Sequence, residues 1–250
     1  MRMGLIADIH GNLVALDAVL ADLARDQLDR LVCLGDVAAL GPQPAEVIAR
    51  LRTLDCPSLL GNTDNWLLSG TPAHLASTPF ATITSWCAAR LTEADWAYLR
   101  ACPRTLSVDL AGGQQLLCCH GSPRSYDDVI AATTPDMDLD TMLAGYPATI
   151  IAGGHTHIQL LRQHGATRVI NPGSVGLPGI GPGDPRLPVN QQVCWAEYAL
   201  LTLDPGHVSI DLRRLPLDPA QLDAALLNSA MPDADWWRNL WSLGTSPADT

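Results

Sequence analysis

The feature that most narrows how this chain can fold is the position of a set of Asp, Asn and His side chains, which fall at the ends of short apolar runs, most of them beside glycine. Met3–Ile9 carries Asp8 and leads into His10. Arg30–Leu34 ends in Gly35-Asp36, and Ser58–Leu60 ends in Gly61-Asn62. Gln115–Cys119 ends in His120-Gly121, and Ala148–Ala152 leads to Gly154-His155-Thr156-His157. Apolar runs of this length, bounded by turn residues, read as buried strands. Between the first of them, Leu13, Leu16, Leu20 and Leu23 recur at helical spacing, with Asp17, Asp22 and Arg25 off that face. Pro44–Leu51 reads as a second helix with proline near its start. Strand and helix alternate here, which predicts a largely parallel sheet covered by helices.

Between Asp64 and Cys102 the pattern is helical, with Thr92-Glu93-Ala94-Asp95 opening a segment that carries Trp96 and Leu99. Further strands are expected at Leu106–Leu110, Ile158–Arg162, Arg168–Ile170, Glu197–Leu203 and Val208–Leu215. Gly112-Gly113 and Asp204-Pro205-Gly206 supply hairpin turns. Two sheets facing one core with helices outside accommodate this count, so the expected fold is an α/β protein of four layers, an α/β/β/α sandwich. Residues 1–215 are expected to form that domain. Residues 216–250 are read as a C-terminal helical extension: a short helix near Gln221–Leu227, then a loosely held tail whose Trp236, Trp237 and Trp241 dock on the body or on a partner.

Charge and cysteine usage exclude several function classes. The net charge is −11, so no long-range field favours DNA, RNA or an anionic membrane. Every basic residue is Arg and none is Lys, which removes lysine from any catalytic role. The seven cysteines are odd in number and form no C-x-x-C pair, so redox-motif and zinc-ribbon readings fail. The N-terminus enters the first motif at once, and no apolar run is long enough to cross a bilayer. A cytoplasmic protein, with no membrane or nucleic-acid partner, is expected.

Singly, D-x-H and H-x-H are common by chance. Together, four His, two Asp and an Asn at strand ends converge on one edge, because ligands in open α/β architectures gather at the carboxyl ends of strands. Glycine beside His10, Asp36, Asn62, His120 and His155 lets the backbone turn tightly and approach a ligand. Carboxylate, imidazole and amide donors without thiolate suit Mn, Fe, Co, Ni or Zn better than a soft-metal site.

In the order Asp8-x-His10-Gly11-Asn12, Gly35-Asp36, Gly61-Asn62-x-Asp64, His120-Gly121-Ser122 and Gly154-His155-Thr156-His157, the chain resembles the calcineurin-like metallophosphoesterase superfamily. Asn171-Pro172-Gly173-Ser174-Val175-Gly176 also resembles a segment of its small bacterial branch, the YfcE-like phosphodiesterases. The resemblance implies two divalent metals, Mn²⁺ first and Fe, Zn, Ni, Co or Mg as alternatives. Asp8, His10 and His157 would hold one, Asn62, His120 and His155 the other, and Asp36 would bridge. Two ions about 3.5–4 Å apart can clamp a phosphoryl group and generate a metal-bound hydroxide for in-line attack. Asp36, Asn62 and His120 are thereby the expected catalytic residues, and a small phosphate ester, preferably a diester, the expected substrate.

One departure matters. Many superfamily members place His after the G-N pair to protonate the leaving group, and here Thr63 stands there. A missing general acid typically costs on the order of 10² to 10⁴ in rate. A good leaving group, or another proton source, must therefore compensate. Asn12 is a candidate for substrate contact, with helix capping as the equal alternative. Arg124 is a candidate for binding a phosphate oxygen, with a surface ion pair as the alternative. Asp64 is expected to make a supporting or turn contact, and Asn171–Gly176 to pack beneath the site. The Gly- and Pro-rich stretch Leu177–Asn190 is read as a rim, and His74, His164 and His207 as ordinary surface residues. Rival functions are a protein Ser/Thr or dinucleoside-polyphosphate phosphatase, and a non-catalytic, metal-binding interaction scaffold of the same fold. Either an isolated chain or a homo-oligomer is compatible with the sequence.

Overall fold

The computed structural model describes residues 1–177, 194–204 and 207–241. β1 (Arg2–Ile6) buries all but its first residue, and β2 (Arg30–Cys33) lies parallel to it, with Met3 opposite Arg30 and Ile6 opposite Cys33. On the other side of β1 lies a strand from far along the chain, β8 (Trp195–Asp204), running antiparallel; β9 (His207–Pro216) pairs with β8 at the edge. The first sheet, β2-β1-β8-β9, is thus mixed, where the sequence predicts a largely parallel one. Its third expected strand, Ser58–Leu60, is reduced to one parallel bridge between Cys33 and Ser58.

The second sheet has the order β3-β4-β5-β7-β6. The strands are β3 (Leu106–Asp109), β4 (Gln115–Cys118), β5 (Ile150–Ala152), β6 (Leu160–His164) and β7 (Thr167–Asn171). β3 and β4 form the hairpin that Gly112-Gly113 predicts. β4, β5 and β7 run parallel, so the loops after β4 and β5 leave the same edge of the sheet.

Period-two alternation sorts the strand side chains into layers. Met3, Leu5, Leu116, Cys118, Ile150, Ala152, Ala199 and Leu201 interleave in a core between the sheets. Ile6, Cys33, Ala196 and Tyr198 point the other way, into a larger cluster under the first sheet's helices. Those helices are α1 (Leu13–Leu23), α2 (Pro44–Thr53), α7 (Pro219–Ser229) and α8 (Ala234–Leu240). Beyond the second sheet, Leu117, Cys119 and Ile151 form a smaller cluster with Leu143 of α6 (Asp136–Leu143). The layers are therefore helix, sheet, sheet, helix, as expected.

Three further helices lie between α2 and β3 in the chain: α3 (Asn62–Ser69), α4 (Pro79–Ala88) and α5 (Glu93–Ala101). α5 is opened by Thr92, whose hydroxyl accepts from the Asp95 backbone N–H while the Asp95 carboxylate accepts from Thr92. The segment read as a loosely held tail is packed as far as Trp241. Trp237 and Trp241 are 0% and 1% exposed within the cluster under the first sheet. Among the described residues no helix is long and apolar enough to cross a membrane, and all seven cysteines are free thiols.

Candidate metal centre

β1, β2, β4 and β5 all release their chains at one edge, and the polar side chains meet there. The loop after β1 is fastened to the loop after β2: the backbone N–H groups of Asp8, His10 and Gly11 donate to the carbonyls of Gly35, Asp36 and Val37 at 2.8–3.0 Å. Asp8, His10, Asp36 and His157 are buried, and one ligand atom from each lies within 4.8 Å of the others. Asn62, His120 and His155 adjoin them. Asn62 Oδ1 lies 3.0 Å from His120 Nε2 and 3.1 Å from His155 Nδ1. Asp36 sits between the two groups, its Oδ2 3.5 Å from His10 Nε2 and 3.4 Å from His120 Nε2. All seven residues that the sequence singles out as ligands come together.

Backbone carbonyls decide which imidazole nitrogens are available. His10 Nδ1 lies 3.0 Å from the Ala39 carbonyl, His120 Nδ1 2.9 Å from that of Leu34, and His157 Nδ1 2.5 Å from that of Leu177. A carbonyl can only accept, so each Nδ1 carries a proton and each Nε2 points inward. The Nε2 atoms of His10 and His157 then face each other at 3.1 Å. Two neutral imidazole lone pairs at that separation repel unless a cation or proton lies between them. Asn62 Oδ1 faces His120 Nε2 and His155 Nδ1 from two sides, and either nitrogen can donate to it. Buried carboxylate, imidazole and amide atoms converging at one place, with no other donor between the His10 and His157 Nε2 atoms, are what a divalent cation requires, so the residues fit a metal.

Supporting residues fix the ligands in turn. Asp64, fully buried, accepts from the backbone N–H groups of Val37, Ala38 and Gly61, binding the β2 loop to the start of α3. Asp36 Oδ1 accepts from the Thr63 N–H at 2.9 Å, where the helix N-terminus favours negative charge. The His155 N–H donates to the Asp8 carboxylate, and Ser174 Oγ donates to the Asp8 carbonyl. Gly61 and Gly154 are required by close approach, since a Cβ would lie 2.0 Å from Asp36 Oδ1 at the first and 2.6 Å from Asp8 Oδ2 at the second. Asp8, His10, Asp36, His155 and His157 all adopt left-handed φ between 49° and 69°. Non-glycine residues enter that region at a cost and persist where surrounding bonds over-determine them, as at binding sites.

The electrostatics follow from burial and proximity. Burial disfavours the Asp36 carboxylate, but the imidazoles of His120, His10 and His155 outweigh that and hold its pKa far below the usual range. Asp8 is also lowered, by His157 and His120 against the same desolvation. Desolvation drives His10 and His155 down to about 4, with neighbouring imidazoles adding to the effect. His120 goes the other way, to about 10, because Asp36 and Asp8 overcome its burial. Asp64 is pushed up to about 6, by burial first and then by the charge of Asp36.

Two substrate candidates are engaged elsewhere. Asn12 caps α1: its Oδ1 accepts from Ala15 N–H at 3.0 Å and its Nδ2 donates to the Gly176 carbonyl, with no exposure. Capping is therefore what the fold makes of Asn12, because the side chain's hydrogen bonds go to backbone. Arg124 is half-exposed and donates from Nε to Asp128 at 2.9 Å, the surface ion pair set out as its alternative. Asn171–Gly176 lies under the centre as expected, with Asn171 Nδ2 donating to the Gly154 carbonyl. Of the rim Leu177–Asn190, only Leu177 is among the described residues.

Beside the centre opens a cleft of about 670 Å³. His10, Asp36, Asn62, Thr63, His155 and His157 form its floor, and Leu40, Trp66, Leu75 and Phe80 part of its wall. His74, exposed as a surface residue is expected to be, also lines it. His164 does conform, pairing with Asp140 at 2.8 Å. The wall was invisible in sequence because Trp66 and Phe80 at helical positions look like core. The usable signal was the spacing from Asn62, which puts Trp66 on the same helix face.

A two-sheet sandwich with a buried cluster of Asp, His and Asn at its strand ends defines a metal-binding α/β protein. The profile of the Calcineurin-like phosphoesterase superfamily domain matches residues 1–193, and the chain belongs to that superfamily, which is metal-dependent. An uncharacterized protein of Methanocaldococcus jannaschii is 24% identical over 240 residues, covering 92% of this chain and 94% of that one. Two crystal structures share the fold. A metallophosphoesterase from Sphaerobacter thermophilus has a TM-score of 0.72 at 24% identity, covering 96% of this chain and 99% of that one. A hypothetical protein from Pyrococcus horikoshii has a TM-score of 0.77 at 20% identity, covering 98% and 99%.

Proposed function

We propose that this protein is a dinuclear metal-dependent phosphoesterase that prefers diesters. The observation that carries this reading is the inward convergence of ligand atoms from seven buried side chains, with the Nδ1 atoms of His10, His120 and His157 tied to carbonyls. Asp8, His10 and His157 would hold one ion and Asn62, His120 and His155 the other. Asp36 would bridge, since its Oδ2 lies within 3.5 Å of an imidazole from each group. The ions, when bound, would supply Lewis acidity toward phosphoryl oxygens and acidify a water for attack at neutral pH.

The chain's own part is positional. Carbonyls fix the imidazole tautomers, Asp64 clamps the β2 loop to α3, and the cleft orients the ester over the centre. Thr63 is 3% exposed on the cleft floor and its hydroxyl finds no hydrogen-bond partner among the described residues. A hydroxyl of that kind cannot protonate a leaving group near neutral pH, so substrates with stable leaving groups are favoured. The free thiols fit a reducing, cytoplasmic setting.

The test is hydrolysis of bis-(p-nitrophenyl) phosphate and p-nitrophenyl phosphate by metal-stripped protein with and without Mn²⁺, beside Asp36→Asn and His120→Ala. Turnover restored by Mn²⁺, faster on the diester and lost in both variants by about 10²-fold or more, is expected. Two ions bound per chain with no turnover on any ester would overturn the enzyme reading in favour of a metal-binding scaffold.

A further inference from the structure

The cleft wall extends the proposed function to a substrate class. α3 delivers Asn62 to the floor, and the same face continues along the cleft with Asn65, Trp66 and Ser69 at i+3, i+4 and i+7. Trp66 therefore sits one helical turn, about 5.4 Å of rise, from a proposed ligand. Phe80, on α4, meets it edge-to-face with ring centroids 6.2 Å apart and an interplanar angle of 89°. Leu40, Pro72, Leu75 and Leu177 complete an apolar surface continuous with the polar floor. Both aromatic rings are only half-buried, which leaves apolar surface facing a cavity beside the centre.

The charges in the cleft are equally selective. Among the described lining residues there is no arginine, the chain has no lysine, and Asp127 contributes a carboxylate. Among the described residues a second phosphate or a polyphosphate chain would meet no guanidinium and would face Asp127 in a protein of net charge −11. A flat uncharged ring one ester bond from the phosphorus would cover Trp66 and Phe80 and lose nothing to unpaired charge.

Resting on the phosphoesterase reading, we infer that the Trp66–Phe80 cleft binds an uncharged aromatic substituent, an aryl ring or a nucleobase, of a substrate carrying a single phosphate group. The experiment is calorimetric titration of Mn²⁺-loaded protein with phenylphosphonate and methylphosphonate, which share a non-hydrolysable head and need no turnover. Phenylphosphonate is expected to bind about tenfold tighter or more, the order for burying one ring face. In Trp66→Ala that ratio falls toward one, and in Trp66→Phe most of it is retained. Equal affinity of the two phosphonates for the parent protein would overturn this inference and leave the metal-centre reading intact. Failure of both to bind the Mn²⁺-loaded protein would overturn both.

Discussion

At the floor of the cleft, five of the seven polar side chains are fixed by hydrogen bonds to backbone and the other two, Asn62 and His155, by side-chain contacts, while above them, among the described residues, Trp66, Phe80 and Trp236 are held by packing. The floor's restraints are local and redundant: three carbonyls grip three imidazoles, and Asp64 alone accepts three backbone N–H groups. The wall is a relay of rings. Phe80 meets Trp66 at 6.2 Å and Trp236 at 5.2 Å between centroids, and Trp236 rides on α8 beside the buried Trp237. Floor geometry must be kept to fractions of an ångström, because metal coordination is directional. A wall that recognises a ring needs only shape and dryness, which tolerate change. On the proposed function, the floor would do the chemistry and the wall would choose the substrate.

The largest effect expected from breaking the floor comes from a residue that is not itself a ligand. Gly61→Ala would drive a methyl group into Asp36 Oδ1, at 2.0 Å before any relaxation. Metal stoichiometry by plasma emission should fall, with about 10²-fold or more lost in kcat/KM. Full metal occupancy and parental rates in that variant would show the floor to be more pliant than its hydrogen bonds suggest.

Trp237→Ala probes the wall's support. Removing a fully buried tryptophan from the cluster under the first sheet should cost about 3–5 kcal/mol, read by urea denaturation. Metal content should stay at the parental value while discrimination between phenyl- and methylphosphonate declines. If metal were lost in step with discrimination, floor and wall would be one unit and the contrast between them would fail.

The smallest effect sharpens the boundary between the two regions, where Thr63 lies. Thr63→His would place a titratable donor on the cleft floor beside Asn62. Rates on alkyl esters, whose leaving groups need a proton, should rise by about tenfold or more, with little change for p-nitrophenyl esters. The readout is the slope of log kcat against leaving-group pKa, which should flatten. An unchanged slope would mean that proton delivery does not pass through this position.

The floor was legible in sequence because its information is local. His10, Asp36, Asn62, His120 and His155 each follow an apolar run and stand beside glycine, so strand end and ligand are read together. The helical layers were legible from the spacing of Leu13, Leu16, Leu20 and Leu23. Three things were not. The insertion of β8 beside β1 joins Arg2 to Thr202, and no local pattern encodes a pairing over that separation. The reduction of Ser58–Leu60 to a single bridge depends on where the β2 edge ends, not on its own residues. The aromatic wall and the burial of Trp237 depend on which helices meet, and an apolar residue does not announce whether it will face protein or ligand.

The proposed ligands span residues 8 to 157, and Asp8 is hydrogen-bonded to the backbone N–H of His155 across 147 positions. A growing chain that has exposed only Asp8, His10, Asp36 and Asn62 holds half a coordination sphere, with none of the second sheet's imidazoles. Closing so long a loop is entropically costly and rewarded only once both sheets meet. On the proposed function, tight metal capture would therefore come late in the protein's synthesis and metal uptake would report completed assembly: fragments ending before His155 should emerge from the ribosome metal-poor and inert.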